Sequence, residues 1–149
     1  MTAYEINALD VGDTTITVTS RTSPTLAVTL PVQVTSLWPD IAGKTDVNGV
    51  TFTRVGPYSM HAEGTSSGQY GSSVGTTVTL EPGTYELTGI GGTANLIAQI
   101  GIGNTWHSSS LGTVKTIVVD EPVDARCQFS AAKGAAVNDT IGARLVKTK

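Results

Sequence analysis

Trp106 and His107 lie in the polar stretch Gly103-Asn-Thr-Trp-His-Ser-Ser-Ser110, where the chain gathers groups suited to a small polar ligand. An exposed indole stacks on the apolar face of a sugar ring, because an aromatic plane offers flat contact area at little entropic cost. Asn104 and His107 are placed to fix hydroxyls beside it, and Tyr70, in the second polar stretch Ser66–Ser73, supplies another ring. The alternative for Trp106 is a plug closing one end of a β-sandwich. Tyr58 and Tyr70 share that alternative, Tyr58 more strongly because it begins a strand.

Other reactive constellations are thinner. Asp120-Glu121-Pro-Val-Asp124 holds three carboxylates within five residues, the hard oxygen donors that Ca²⁺ takes. Pro122 marks a turn there, so a solvated turn tip is expected, with no metal and no cofactor. Asp46-Val-Asn48-Gly49 begins like a calcium loop but has no Glu at the required offset, and is expected to be a turn. His61 and Glu63 are neighbours on one strand face rather than parts of a triad. No Ser is expected on a nucleophile elbow, Gly103-Asn104 opens no phosphate loop, and the acidic residues gather in turns instead of facing one another across a cleft. No enzymatic activity is expected.

Cys127 is the single cysteine, which excludes an intramolecular disulfide and, with two histidines, a Cys₄ or Cys₂His₂ zinc site. It alternates with Ala125 and Phe129 and is expected to be a small core residue. The net charge is −3, and Arg144, Lys147 and Lys149 form the one basic density, a solubilising tail. Nucleic acid is therefore not an expected partner. No run of 18 apolar residues suggests a membrane span, and the N-terminus has neither a basic nor an apolar leader region. Synthesis in a cytoplasm without a signal peptide is expected.

The elements that must position these groups are strands. Thr, Val and Ile, the β-branched types suited to pleated surfaces, make up 49 of 149 residues. Leu26, Val28, Leu30, Val32 and Val34 occupy every second position between Thr25 and Thr35, the period of a half-buried strand. With Thr14–Ser20 it predicts a hairpin joined by Arg21-Thr-Ser-Pro24. Residues 1–36 thus form a partial β-segment or assembly arm, and 37–44, with Trp38 held extended by Pro39, a linker. From 45 to 149 strand signals recur about every ten residues. Val50–Val55, Tyr58–Gly64, Thr76–Leu80, Thr84–Gly89, Leu96–Ile102, Val114–Val119, Asp124–Ala131 and Thr140–Val146 are expected strands. Thr65–Gly75 and Gly103–Ser110 are expected loops, and Glu81-Pro82-Gly83 a type II turn. The fold class is all-β, an antiparallel β-sandwich or jelly roll.

Two stretches carry family resemblance. "DVGDTTITVTSRTSPTLAVTLPVQVTS" at 10–36 resembles the last strands of bacterial immunoglobulin-like domains, of which it has about 30 residues. "NGVTFT" at 48–53, "EGT" at 63–65, "LEPGTYELTG" at 80–89 and "GAAVNDTIGARL" at 134–145 resemble, in order, the frame of carbohydrate-binding-like jelly-roll modules on bacteriophage tail and capsid-surface proteins. These are turns and strand faces, so they carry over no active site. The resemblance implies a non-enzymatic virion protein, a capsid decoration or a tail or head fibre subunit. It would be displayed on the virion surface and anchored on capsid or tail proteins through Leu26, Val28, Leu30, Val32 and Val34. A closed homo-oligomer, for example a trimer, is expected of such a part. Alternatives are a module for host-surface glycan, using Trp106, His107, Asn104 and Tyr70, and a fragment of a larger adhesin.

Overall fold

The computed structural model describes residues 12–19, 27–34 and 36–149. The chain divides into two units, Met1–Ser36 and Leu37–Lys149. In the first, β1 (Gly12–Thr19) and β2 (Ala27–Val34) form a two-stranded antiparallel sheet, with Ile16 opposite Leu30 and Val18 opposite Val28. Val28, Leu30, Val32 and Val34 fall on β2, whereas Leu26 and the Arg21–Pro24 loop lie outside the described residues.

The second unit has ten strands: β3 (Lys44–Val47), β4 (Val50–Gly56), β5 (Ser59–Thr65), β6 (Ser72–Leu80), β7 (Gly83–Gly91), β8 (Leu96–Ile102), β9 (Thr105–Ser109), β10 (Val114–Val119), β11 (Val123–Ala131) and β12 (Ala136–Lys147). A six-stranded sheet runs β10-β7-β12-β5-β4-β3 and a four-stranded sheet runs β6-β11-β8-β9. The eight strands β5–β12 are thereby interleaved between two sheets in the order of a jelly roll, with the β3–β4 hairpin widening one sheet. No helix occurs among the described residues. The β3–β4 hairpin closes on Asn48-Gly49, both at positive φ (49° and 85°), with Val47 opposite Val50. That is the type I′ geometry the Asn-Gly pair favours.

Alternation decides what is buried. Leu96, Ala98 and Ile100 of β8 lie beside Ala125, Cys127 and Phe129 of β11 on the inner face of the four-stranded sheet, and Phe52, Met60, Leu87, Ile141 and Leu145 of the opposite sheet complete the core. Cys127 is fully buried, and desolvation pushes its thiol up to about 12. A thiol held there stays protonated at neutral pH and packs as an apolar group.

Three expectations are corrected. Residues 37–44 are no linker: Trp38 is 1% exposed and Ile41 4%, and the Leu37 N–H donates to the Leu145 carbonyl at 2.8 Å. Arg54 grips Asp40 through Nε–Oδ1 (2.6 Å) and Nη2–Oδ2 (2.8 Å), and that hydrogen bond holds the Asp40 carboxyl below its ordinary range. Pro39 does keep the chain from coiling into a helix, but so large an apolar side chain as Trp38 gains more in the core than in a linker. Glu81-Pro82-Gly83 is not a free-standing turn, since Gly83 already opens β7, and because β6 and β7 belong to different sheets the segment turns the corner between them. The Tyr85 hydroxyl pins that corner, donating to the Glu81 carbonyl at 2.6 Å. Finally, Gly103–Ser110 is mostly strand β9, paired to β8, and the predicted loop 65–75 ends early, since β6 begins at Ser72.

Candidate functional site

The four-stranded sheet has one face on the core and one in solvent. Successive residues of a strand point to opposite faces, so register alone places Trp106 and Ser108 of β9, Gln99 and Gly101 of β8, Arg126, Gln128 and Ser130 of β11, and Ser73 of β6 on the outer face. A groove of about 450 Å³ lies there, lined by Tyr70, Gly71, Ser73, Gln99, Trp106, Gln128 and Ser130.

Trp106 sits opposite Gly101 in the ladder. The position a Cβ would take on Gly101 is 2.8 Å from indole Cη2, 2.8 Å from Cζ3 and 3.0 Å from Cε3. The six-membered ring therefore rests on bare backbone where any other residue would hold it off. One face of the indole is pressed on the sheet, and the side chain remains 47% exposed. It is a platform, not a plug. Trp38 is the indole that fills the core, tilted 50° against Phe129 with ring centroids 5.3 Å apart.

At the other end Tyr70 is 91% exposed. The turn presenting it is tied down at its base. Ser66 is buried, its N–H donates to the Ala135 carbonyl (2.9 Å), its own carbonyl accepts from Gly134 N–H (2.8 Å), and its hydroxyl meets that of Ser72 at 2.8 Å. Gln69 Nε2 donates to the Tyr70 hydroxyl at 3.3 Å. So a fixed base carries a fully presented ring.

Between the aromatics runs a chain of amides. Arg126 Nε donates to Gln128 Oε1 (3.1 Å), Gln128 Nε2 to Gln99 Oε1 (3.0 Å), and Gln99 Nε2 to Ser108 Oγ (2.9 Å). Arginine has no acceptor, so Gln128 must turn its oxygen to Arg126; every amide after it is oriented in consequence. Each amide keeps one N–H and one lone pair for a ligand, and the Ser108 hydroxyl keeps its hydrogen. Such paired donors and acceptors match vicinal hydroxyls.

The structure thus brings together two of the four expected ligand residues, Trp106 and Tyr70. His107 is next to Trp106 in sequence but opposite Ile100 in register, on the strand face that includes buried Ser109, and it is turned from the groove. Asn104 is exposed in the β8–β9 turn and does not line the groove. Gln99, Gln128, Ser73 and Ser130 escaped sequence reasoning. Their signal was slight: single amides or hydroxyls alternating with apolar residues in strands β6, β8 and β11.

The remaining reactive candidates are structural in their surroundings. The spacing G-x-S-x-G does occur, at 64–68 and 71–75, but Ser66 is bonded to Ser72, Ser73 is in a strand, and no helix follows either. His61 Nδ1 lies 3.1 Å from Thr140 Oγ1, its cross-strand partner on β12 in the six-stranded sheet. Asp124 Oδ1 accepts from Thr79 Oγ1 at 2.8 Å, and among the described residues no three His, Cys, Asp or Glu side chains are grouped to hold a metal ion. Among the described residues no helix is long and apolar enough to cross a membrane. No protein-family model, curated protein or solved structure matches the chain.

Proposed function

We propose that the Leu37–Lys149 unit is a non-catalytic carbohydrate-binding module whose site is the outer face of the four-stranded sheet. One observation carries this reading: two presented aromatic rings, Tyr70 and Trp106, bound a groove floored by hydrogen-bonded amides and hydroxyls. Among the lining residues there is no carboxylate, imidazole or thiol to act as acid, base or strong nucleophile. Pockets with a flat apolar surface and a few convergent polar groups are how proteins hold small polar ligands. Calorimetric titration against bacterial surface polysaccharides tests it. Trp106→Ala is expected to weaken binding about 30-fold, the loss of one aromatic hot spot, with the melting temperature unchanged. Tyr70→Ala is expected to act in the same direction. Binding that survives the loss of both rings sinks the reading.

A second reading, attachment to a phage capsid or tail by the N-terminal hairpin, is supported by the β1–β2 sheet having two strands among the described residues. A lone two-stranded hairpin is marginal in water and gains from strands supplied by a partner. Pro31 on β2 has no N–H to give to a ladder, so the added strand is expected beside β1. Because Trp38 and Ile41 belong to the core, the informative truncation begins at Leu37. That shortened chain is expected to stay folded and lose self-assembly or virion attachment in light scattering and sedimentation; equal assembly by both forms removes the anchoring role.

A further inference from the structure

The groove's electrostatics are one-sided. None of its lining residues is acidic, and two basic residues, Arg126 and Lys133, lie near it outside that lining. Arg126 occupies the row Thr77–Arg126–Gly101–Trp106, so its backbone is two strands, about 10 Å, from that of Trp106. Its Nε is engaged by Gln128, which orients the guanidinium and leaves the Nη edge for a ligand. At the Tyr70 end, the Lys133 backbone nitrogen is 3.4 Å from where a Cβ on Gly71 would stand, and Lys133 is exposed. The carboxylate on this face of β11, Asp124, is one row beyond Arg126 and accepts from Thr79. The amides and hydroxyls of the groove both donate and accept, whereas the Arg126 Nη groups beside it only donate and carry charge.

From this juxtaposition we propose that the site selects acidic glycans, with a uronic-acid carboxylate taken by the Arg126 guanidinium while a sugar ring stacks on Trp106. The proposal rests on the carbohydrate-binding reading above and narrows it to a ligand class. A guanidinium pairs with a carboxylate through two parallel N–H···O bonds, and a fork already fixed by Gln128 loses little freedom in doing so. The chain as a whole carries −3, so the attraction is local to the groove and not a general property of the protein.

The test is titration of the full chain with oligogalacturonate, alginate and hyaluronan fragments, and with galactan and dextran oligomers as neutral counterparts, at low and high salt. At least one acidic series is expected to bind about tenfold tighter than the neutral ones, with the advantage shrinking as salt rises. Arg126→Gln, at an exposed position, is expected to erase that advantage, bringing acidic and neutral fragments to the same affinity, with the melting temperature unchanged. Arg126→Lys is expected to restore part of it, since charge returns without the fork. Neutral oligomers binding as well as acidic ones, or an acidic preference indifferent to Arg126→Gln, overturns the acidic selectivity and leaves the carbohydrate site standing. Absence of binding by every fragment, acidic and neutral, overturns both.

Discussion

Trp38→Ala is expected to cost about 3–5 kcal/mol of stability, the range for emptying a large aromatic site in a core. The indole is 1% exposed, packs on Phe129 at 5.3 Å between centroids, and lies two residues from Asp40, which Arg54 holds. Its removal leaves a cavity between the two sheets and unseats the segment that enters the jelly roll. Urea or thermal melts of the whole chain, followed in the transition of the Leu37–Lys149 unit, are expected to show the midpoint falling by about 10 °C or more. Leu37→Ala, at a side chain 48% exposed, is the neighbouring control and is expected to shift stability by well under 1 kcal/mol. A change of that small size for Trp38→Ala would mean residues 37–44 are a linker after all.

Gly101→Val is expected to abolish ligand affinity almost as fully as Trp106→Ala, about 30-fold, although it removes no contact to the ligand. A side chain at Gly101 meets the indole at 2.8 Å, and the ring must swing off the sheet. The ring is at the surface, so it has somewhere to go and the fold survives. With Trp38 buried, the Trp106 contribution to fluorescence reports the displacement directly, as a red shift on substitution and loss of the ligand-induced change. Gly142→Ala serves as the comparison: a Cβ there meets its nearest atom at 3.5 Å, an ordinary contact, and binding is expected to be unaffected. Full affinity in Gly101→Val would mean that the platform orientation of Trp106 contributes nothing to recognition.

How much of this was legible beforehand varies residue by residue. Leu96, Ala98 and Ile100 announced an inward face by their spacing, and Asn48-Gly49 its own turn, because both signals are local to the backbone. Cys127 followed from its alternation with Ala125 and Phe129. Trp38 misled, since Pro39 spoke of backbone geometry while the burial of the indole depends on a cavity built by strands far along the chain. Glu81-Pro82-Gly83 carried true corner chemistry, yet whether a corner joins two strands of one sheet or two sheets is a matter of which partners are found later. His107 is next to Trp106 in sequence but alternation along β9 puts it on the other face, and Asn104 stays in the β8–β9 turn.

Composition and a period of two were enough to establish an all-β chain, the Asn48-Gly49 turn and a buried cysteine, because these depend on interactions between residues a few positions apart. What tertiary structure alone decided was the floor of the groove. Gln99 and Gln128 are 29 residues apart and meet at 3.0 Å only through the register of β8 on β11, and Trp106 lies flat only because β9 sets it over Gly101. Cross-strand register is a non-local choice, settled by packing two sheets at once, and no local spacing encodes it.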